Sequence, residues 1–455
     1  MHRPIYPVRL ALLLVFEVHS FTQICDKKAR GSKIFSTRTA YDEVRHKELK
    51  LEEIPGCEVR TFYSLNRHGT RYPGGDEIQG MEKELPSLRD SIVANAHHGY
   101  LCANQVSALR QWQPLFSPEL HLQNTQAGLQ EMAELGSRWR YRFPTFFGHS
   151  NHELDIRCGN LTRLHQSAAH LYSGIFPEKS WKLQACKSVP AEEDRLLLYL
   201  DNCARYISSR IRRDDPEKVQ TTLYDQSPAV LGMLARLHAR LALPLGTINL
   251  TLATHMYEAC RFEHAVYRYA PWCEVFASSD LETLVYRQDM KYYWRYGHGR
   301  SINSQPSCVL LNDLVSSISN SVIGPGSQKK RKVIIRMGSS RSILPLLVRM
   351  GLFQDDNHLR TNNSRLNVRR KWQLGVVNPF ASNLVVVHYS CQTGHKIRTF
   401  LNERAIRPPG CKSYWCPAEE FFSQWAKTAA ECDFDEICSD ANLSLSNYRF
   451  DMHHL

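Results

Sequence analysis

The sequence predicts an α/β fold: a mixed, mostly parallel central sheet with flanking helices, interrupted by an inserted α-helical cap. Three observations predict it. Short apolar, β-branched runs at Arg60–Asn66, Val333–Met337 and Leu384–Tyr389 have the length and character of buried strands. Helical spacing stands between and beside them. A block from about 185 to 290 is helical in texture and lacks any comparable strand run. Strand–helix order on both sides of such a block reads as one α/β domain interrupted by an α domain. The 455 residues, 43% hydrophobic and 22% charged, suffice for a sizeable core and exclude disordered, collagen-like and coiled-coil classes.

Taken in order, residues 1–22 read as a secretory signal. His2, Arg3 and Arg9 supply a basic start, and Leu10–Phe16 is an apolar stretch too short to span a bilayer. Residues 23–184 form the first part of the α/β domain. They open with a polar arm over 23–56, followed by the strand Arg60–Asn66. Thr125 caps a helix with Leu129, Met132 and Leu135 on one face, and a second helix covers 164–176 with Ala168, Leu171 and Ile175 on one side. In the inserted block, 185–290, Ser227-Pro228 is an N-cap and first-turn pair. Leu231, Leu234, Leu237 and Leu241 follow at helical spacing, and Gly246 closes the segment. Residues 291–430 return to strand, helix (Ile343–Met350) and strand, and 431–455 form a polar tail.

Charge and cysteines bound the compartment and the partners. Removing the leader up to about Thr22 leaves all 14 cysteines, dispersed and without a CxxC pair, so disulfides are expected rather than a structural metal site. Sequons at Asn160, Asn249, Asn362 and Asn442 point the same way. The expected location is the secretory pathway, with secretion, the lysosome and the endoplasmic reticulum lumen all open. No cofactor, nucleic-acid partner or integral membrane segment in the mature chain is expected. The net charge of +12 suits polyanionic small molecules or acidic glycans, and the 20 histidines would raise it further in an acidic compartment. The basic run Gln328–Lys332 reads as a solvated loop before a strand.

The chemistry concentrates in Arg67-His-Gly-Thr-Arg-Tyr-Pro73, at the end of an apolar strand, where open α/β sheets place their ligand sites. Two arginines flank a histidine within five residues. Their forked donors suit phosphoryl oxygens, the histidine can act as nucleophile or acid/base, and the following glycine admits close backbone approach. The bland alternative is an exposed basic turn.

The heptad resembles the signature of the histidine acid phosphatases, the branch that includes phytases and multiple inositol polyphosphate phosphatases. Thr125-Gln-Ala-Gly128 through Leu135-Gly136, and Ser167-Ala168-Ala169 with Leu171 and Gly174, are similar to family helix motifs. Pro271–Phe276, Gly297 with Ile302-Asn303, Pro379–Leu384 and Leu401-Asn-Glu403 resemble the inositol polyphosphate phosphatase branch. The resemblance spans roughly residues 50–440 and implies the histidine phosphatase fold. It implies His68 as the phosphate-accepting nucleophile, with Arg67 and Arg71 holding phosphoryl oxygens. Arg163 is the choice for a third phosphate arginine, with Arg157 as its rival. The implied ligands are inositol polyphosphates and phosphorylated glycolytic intermediates. The resemblance also implies a Cys57–Cys391 disulfide, and Cys260–Cys273 and Cys432–Cys438 are expected as local pairs.

One element departs from the family pattern. After a late strand the family keeps His-Asp or His-Ala-Glu, whose carboxyl protonates the leaving alcohol. Here Ser339, Ser340 and Arg341 follow Gly338. Arginine stays protonated and is a poor proton donor near neutral pH. The missing acid is worth about 10²–10⁴ in rate. The expectation is therefore a phosphomonoesterase with impaired activity, in which Arg341 adds a phosphate-binding charge. Glu403, His298 and His395 are nominal substitute donors. The alternative is an inactive pseudophosphatase that binds polyphosphorylated ligands.

Overall fold

The structure, a computed structural model, describes residues 33–149, 151–179, 186–322, 331–364 and 369–440. The leader assigned to residues 1–22 and the Asn442 sequon lie outside the described residues. Seven strands form one sheet: β1 (Cys57–Arg67), β2 (His152–Cys158), β3 (Arg331–Gly338), β4 (Asn383–Cys391), β5 (Gly394–Leu401), β6 (Arg404–Ile406) and β7 (Cys416–Pro417). Their order is β2-β3-β1-β4-β5-β6, with β7 beside β5. Parallel pairing is confined to β2, β3 and β1. β4 lies antiparallel to β1 and to β5. The reason on the β5 side is covalent: Gln392 and Thr393 alone link β4 to β5, with Gly394 at φ 105°, and a tight hairpin can only reverse the chain.

Alternation along the strands builds two cores. Phe62, Val333, Ile335, Val385 and Val387 face one side, under the helices Gln126–Arg142 and Thr162–Ile175. Tyr63, Leu65, Ile334, Leu384 and Val386 face the other. Val59 shares the face of Phe62 despite its odd spacing, because the pairing of β1 with β4 shifts register between Val59 and Thr61. The two helices on the first face touch closely. A Cβ on Gly136 would meet the Leu171 carbonyl oxygen at 2.2 Å, and one on Gly174 would meet that of Ala133 at 1.9 Å.

The helical stretch runs further than the 185–290 block read from the sequence. Helices follow one another from Ala204 to Val322, and the last, Cys308–Val322, packs on β1 and β4. The helix Gly75–Ala94 packs against Leu250–Tyr267, so an early segment joins this helical stretch. Pro228–Leu241 buries Val230, Met233, Leu237 and Leu241, while Leu231 is exposed. The arm before β1 is not simply polar: Phe35, Thr37, Thr39, Ala40 and Tyr41 are buried. Ser36 Oγ donates to Asp289 Oδ1 at 2.7 Å and Thr39 Oγ1 to the Ser36 carbonyl at 2.8 Å, so polar composition does not mean exposure here. No helix among the described residues is long and apolar enough to cross a membrane.

Cys57–Cys391 and Cys260–Cys273 are disulfide-bonded. Cys432 and Cys438 are not paired with each other, which corrects the expected local link. Cys432 joins Cys308 and Cys438 joins Cys203. Cys432 ends the segment after the helix Ala418–Ala430, which packs on Cys308–Val322, and the short helix Phe434–Cys438 carries Cys438 across to Ala204–Ile211. The start of the expected polar tail is thus pinned. Cys158–Cys186 and Cys411–Cys416 complete the pairs between described residues. Asn160, Asn249 and Asn362 are exposed.

Glu263, on Leu250–Tyr267, is buried, and its Oε1 accepts from the Trp112 indole at 2.6 Å. Burial pushes its carboxyl up to about 8. The folded state therefore holds a proton that the unfolded chain releases near pH 4, and stability falls as pH rises from there towards 8. Glu263→Gln keeps an acceptor for the indole and removes this loss. The variant should be more stable than the parent by about 2–4 kcal/mol at pH 7 and no more stable at pH 4. Urea unfolding at both pH values checks it, and an equal gain at both contradicts it.

Candidate active site

Strand register brings the two halves of the site together. Arg67, the last residue of β1, lies opposite Gly338, the last of β3. Parallel neighbours lie about 4.8 Å apart, so His68 and Ser339 leave the sheet side by side at its carboxyl edge. The turn after His68 is gripped by the start of Gln126–Arg142. Thr125 N and Oγ1 both donate to the Thr70 carbonyl at 3.0 Å. Thr70 N and Oγ1 both donate to Glu131 Oε2 at 2.9 Å. Glycine is required at this approach: a Cβ on Gly69 would sit 2.1 Å from the Gly128 carbonyl oxygen.

His68 is 2% exposed. Its Nδ1 lies 2.8 Å from the Gly69 carbonyl, which can only accept, so Nδ1 carries the proton and Nε2 presents a lone pair. Burial, then Arg67, Arg163 and Arg71, hold its pKa well below the usual histidine value, so the ring is neutral. The Phe380 ring leans on it at 6.1 Å, and Ala381 N donates to the His68 carbonyl at 3.0 Å. Ala381 has a positive φ of 53°, a strained backbone held at the site.

The arginines are buried around this ring. Arg67 Nη1 donates to the carbonyls of Thr37 at 2.7 Å and Pro379 at 2.8 Å, and its Cζ lies 4.8 Å from the Phe380 centroid. Arg71 Nη1 donates to the Tyr72 carbonyl at 2.6 Å. Burial and Arg38 lower Arg67 to about 9 and lower Arg71 as well. Burial, Arg341 and Arg38 lower Arg163 to about 10. Arg163 therefore joins the cluster, whereas Arg157 is exposed beside Asp155. The Nε atoms of Arg38, Arg67 and Arg71 are buried without a hydrogen-bond partner among the described residues. Converging donors of this kind suit the oxygens of a phosphoryl group.

Several residues of the site escaped the sequence reading. Arg38 comes from the arm, where no motif marks it, and pairs with Glu77 at 3.6 Å. Glu77 is half-buried, which raises its carboxyl, but Arg38, Arg71 and Arg261 hold it below the usual carboxylate range. Tyr292 is raised by burial, but Arg38, Arg295 and Arg67 bring it down to about 8. Glu131 is the anchor for Thr70, and burial raises its carboxyl. Its three-residue distance from Gly128 on a helix was the one readable hint.

The element after β3 is as read from the sequence in placement but different in charge. Ser339 caps the helix Ser340–Arg349, its Oγ accepting from Arg341 N at 3.3 Å. Ser340 is buried at the helix start. Arg341, expected as a further charge for phosphate, forms an ion pair with Asp201, a residue no motif pointed to. The nominal substitute donors stand elsewhere. Glu403 is buried against Arg138 and Tyr41. His298 Nε2 bonds the Leu352 carbonyl at 2.9 Å. His395 pairs in register with Ser390, near the Cys57 end of the sheet and away from His68.

Comparison with known proteins agrees with this geometry. The family model described as histidine phosphatase superfamily (branch 2) matches residues 58–402. The chain is 28% identical over 416 residues to multiple inositol polyphosphate phosphatase 1 of Homo sapiens, covering 82% of each chain. It is 26% identical over 423 residues to the Gallus gallus protein of that name, covering 89% of this chain and 92% of the other. In fold it is similar to the crystal structure of the phytase from D. castellii, with a TM-score of 0.71 at 15% identity over 90% of this chain and 89% of that one.

The cluster generates a binding prediction. Arg163→Ala should weaken inositol hexakisphosphate binding by about 10–100-fold, the worth of a charge-assisted hydrogen bond. Arg157→Ala should leave it unchanged within about 2-fold, as an exposed pair contributes little. Parent affinity should fall as salt rises. Calorimetric titration at two ionic strengths checks all three.

Proposed function

The chain belongs to the histidine phosphatase superfamily (branch 2), and from that membership we propose that it hydrolyses phosphomonoesters of inositol polyphosphates through a phosphohistidine on His68. The carrying observation is a neutral, oriented histidine among buried arginines at adjoining strand ends. Nε2 attacks phosphorus while Arg67, Arg71 and Arg163 neutralise the phosphoryl oxygens, and water then releases phosphate from the histidine. Phosphorylated glycolytic intermediates fall within the same ligand chemistry. We place the protein in the secretory pathway, secreted or resident in the lysosome or endoplasmic reticulum lumen, with Asn160, Asn249 and Asn362 open to glycosylation.

Turnover of alkyl esters is impaired in this reading, because Ser339, Ser340 and Arg341 supply no carboxyl at the position where the family keeps its acid. A second reading, a pseudophosphatase that retains polyphosphorylated ligands, draws on the same observation.

Leaving-group chemistry separates the two. p-Nitrophenyl phosphate departs as a stabilised phenolate and hardly needs an acid, whereas inositol phosphates depart as alkoxides and do. The protein should cleave the aryl ester measurably and inositol hexakisphosphate about 10²-fold or more slowly. His68→Ala should abolish both, and labelled substrate should leave a trapped phosphohistidine in the parent. Binding without cleavage of either ester would establish the pseudophosphatase.

A further inference from the structure

Resting on the phosphatase reading, we propose that Asp201 donates the leaving-group proton in place of the carboxyl missing at residue 341. The segment carrying it is built onto the turn after β3. Ser342 Oγ donates to the Leu197 carbonyl at 2.7 Å, and Tyr199 Oη donates to the Ser342 carbonyl at 2.8 Å. Asp201 N closes a turn on the Leu198 carbonyl at 3.0 Å. These bonds fix Asp201 against the helix start where the family's acid would stand, and its Oδ1 accepts from Arg341 Nη1.

The other carboxyl oxygen makes the case. Oδ2 of Asp201 is buried and has no hydrogen-bond partner among the described residues. A buried oxygen without a partner costs stability and calls for an explanation, and a catalytic role is one. Burial raises the Asp201 carboxyl although Arg341 opposes it, which favours holding a proton. The charged and titratable groups around the pair are Tyr199 and Tyr206 from the flanking segments, Arg295 and Tyr296 from the helix Ser278–Tyr296, and Arg163 across the cluster. Tyr292 is the rival donor; it stands among Arg38, Arg295 and Arg67.

The step balances. The His68 Nε2 lone pair forms the N–P bond and the P–O bond to the alcohol breaks. The leaving oxygen takes that electron pair and the proton of Asp201 Oδ2. The carboxylate then accepts a proton from water as its oxygen attacks phosphorus and the N–P bond breaks. Phosphate leaves, His68 is neutral again and Asp201 is protonated again. The guanidinium of Arg341 stabilises the carboxylate, so a smaller fraction of Asp201 holds its proton than in an unpaired acid, which fits slow rather than absent alkyl-ester turnover.

The test compares inositol hexakisphosphate with p-nitrophenyl phosphate in the full chain. Asp201→Asn should lower kcat/KM for the inositol ester by about 10²-fold or more and leave the aryl ester within about 3-fold. The basic limb of the inositol-ester pH profile should disappear with it. Arg341→Met removes the opposing charge, so that limb should move to higher pH; this holds the proposal open to refutation even if Asp201→Asn does not fold. Equal losses on both esters, an unmoved limb in Arg341→Met, or a selective loss in Tyr292→Phe instead, would each overturn the assignment. Parent protein that cleaves the aryl ester alone would overturn Asp201 while sparing the phosphatase reading. Cleavage of neither would remove the reading on which the proposal rests.

Discussion

Crowding of guanidinium groups around one neutral histidine is the constraint to which the rest of the structure answers. Arg38, Arg67, Arg71 and Arg163 are brought together in a buried space, where Arg38 opposes the charge of the other three and Arg163 that of Arg67 and Arg71. Like charges in low dielectric are tolerated only when counter-charge and acceptors are built in. The fold supplies Glu77 for Arg38 and Arg71, backbone carbonyls for Arg67, and the Phe262 ring, which has the Cζ of Arg38 at 5.2 Å, Arg71 at 5.9 Å and Arg261 at 5.8 Å. Compensation remains partial. Burial and this cluster together keep His68 unprotonated, and under the proposed function the same charges serve both nucleophile activation and ligand binding.

Such a cluster must be assembled from distant sequence. β1 brings Arg67 and His68, the helix after β2 brings Arg163, the arm brings Arg38, and the segment 379–383 closes over the histidine. Rigidity comes from the parallel register of β1 with β3 and from the Cys57–Cys391 link at the opposite end of β1, where the two cysteines face each other across the β1–β4 pair. A disulfide closing a 334-residue separation restrains the unfolded chain strongly, worth about 6 kcal/mol in the chain-entropy view. Positive φ at Asn402 and Glu403 belongs to the two-residue turn of the β5–β6 hairpin, whereas that at Ala381 lies beside His68.

What could be read in the sequence follows this division. The three central strands, the Thr125 cap and the heptad were legible because period, capping and residue order are local properties. Arg38 was not, because its arm has no periodicity and its burial is set by contacts with the cap. Asp201 was not, because its partner lies 140 residues away. The Cys432–Cys438 expectation failed for a related reason: closeness in sequence says little once a five-residue helix, Phe434–Cys438, turns one cysteine towards a different partner. A mixed sheet was expected, but strands β5 to β7 were not read, because the β4–β5 hairpin carries only Gln392 and Thr393 between its strands, without the asparagine–glycine signal that marks such turns.

The altered element after β3 then changes meaning. Read alone, an arginine in place of a carboxylate removes a proton donor and adds a positive charge to an already positive pocket. In the folded chain the added charge is met by Asp201, which is anchored to the same turn through Leu197 and Tyr199. The pair leaves the local charge near that of a neutral acid. Arg341 thus adds less to ligand attraction than its sequence position suggests, and a carboxyl still stands beside the turn after β3. Loss of a motif and loss of a function are different claims, and what separates them here is the one unpartnered oxygen of Asp201.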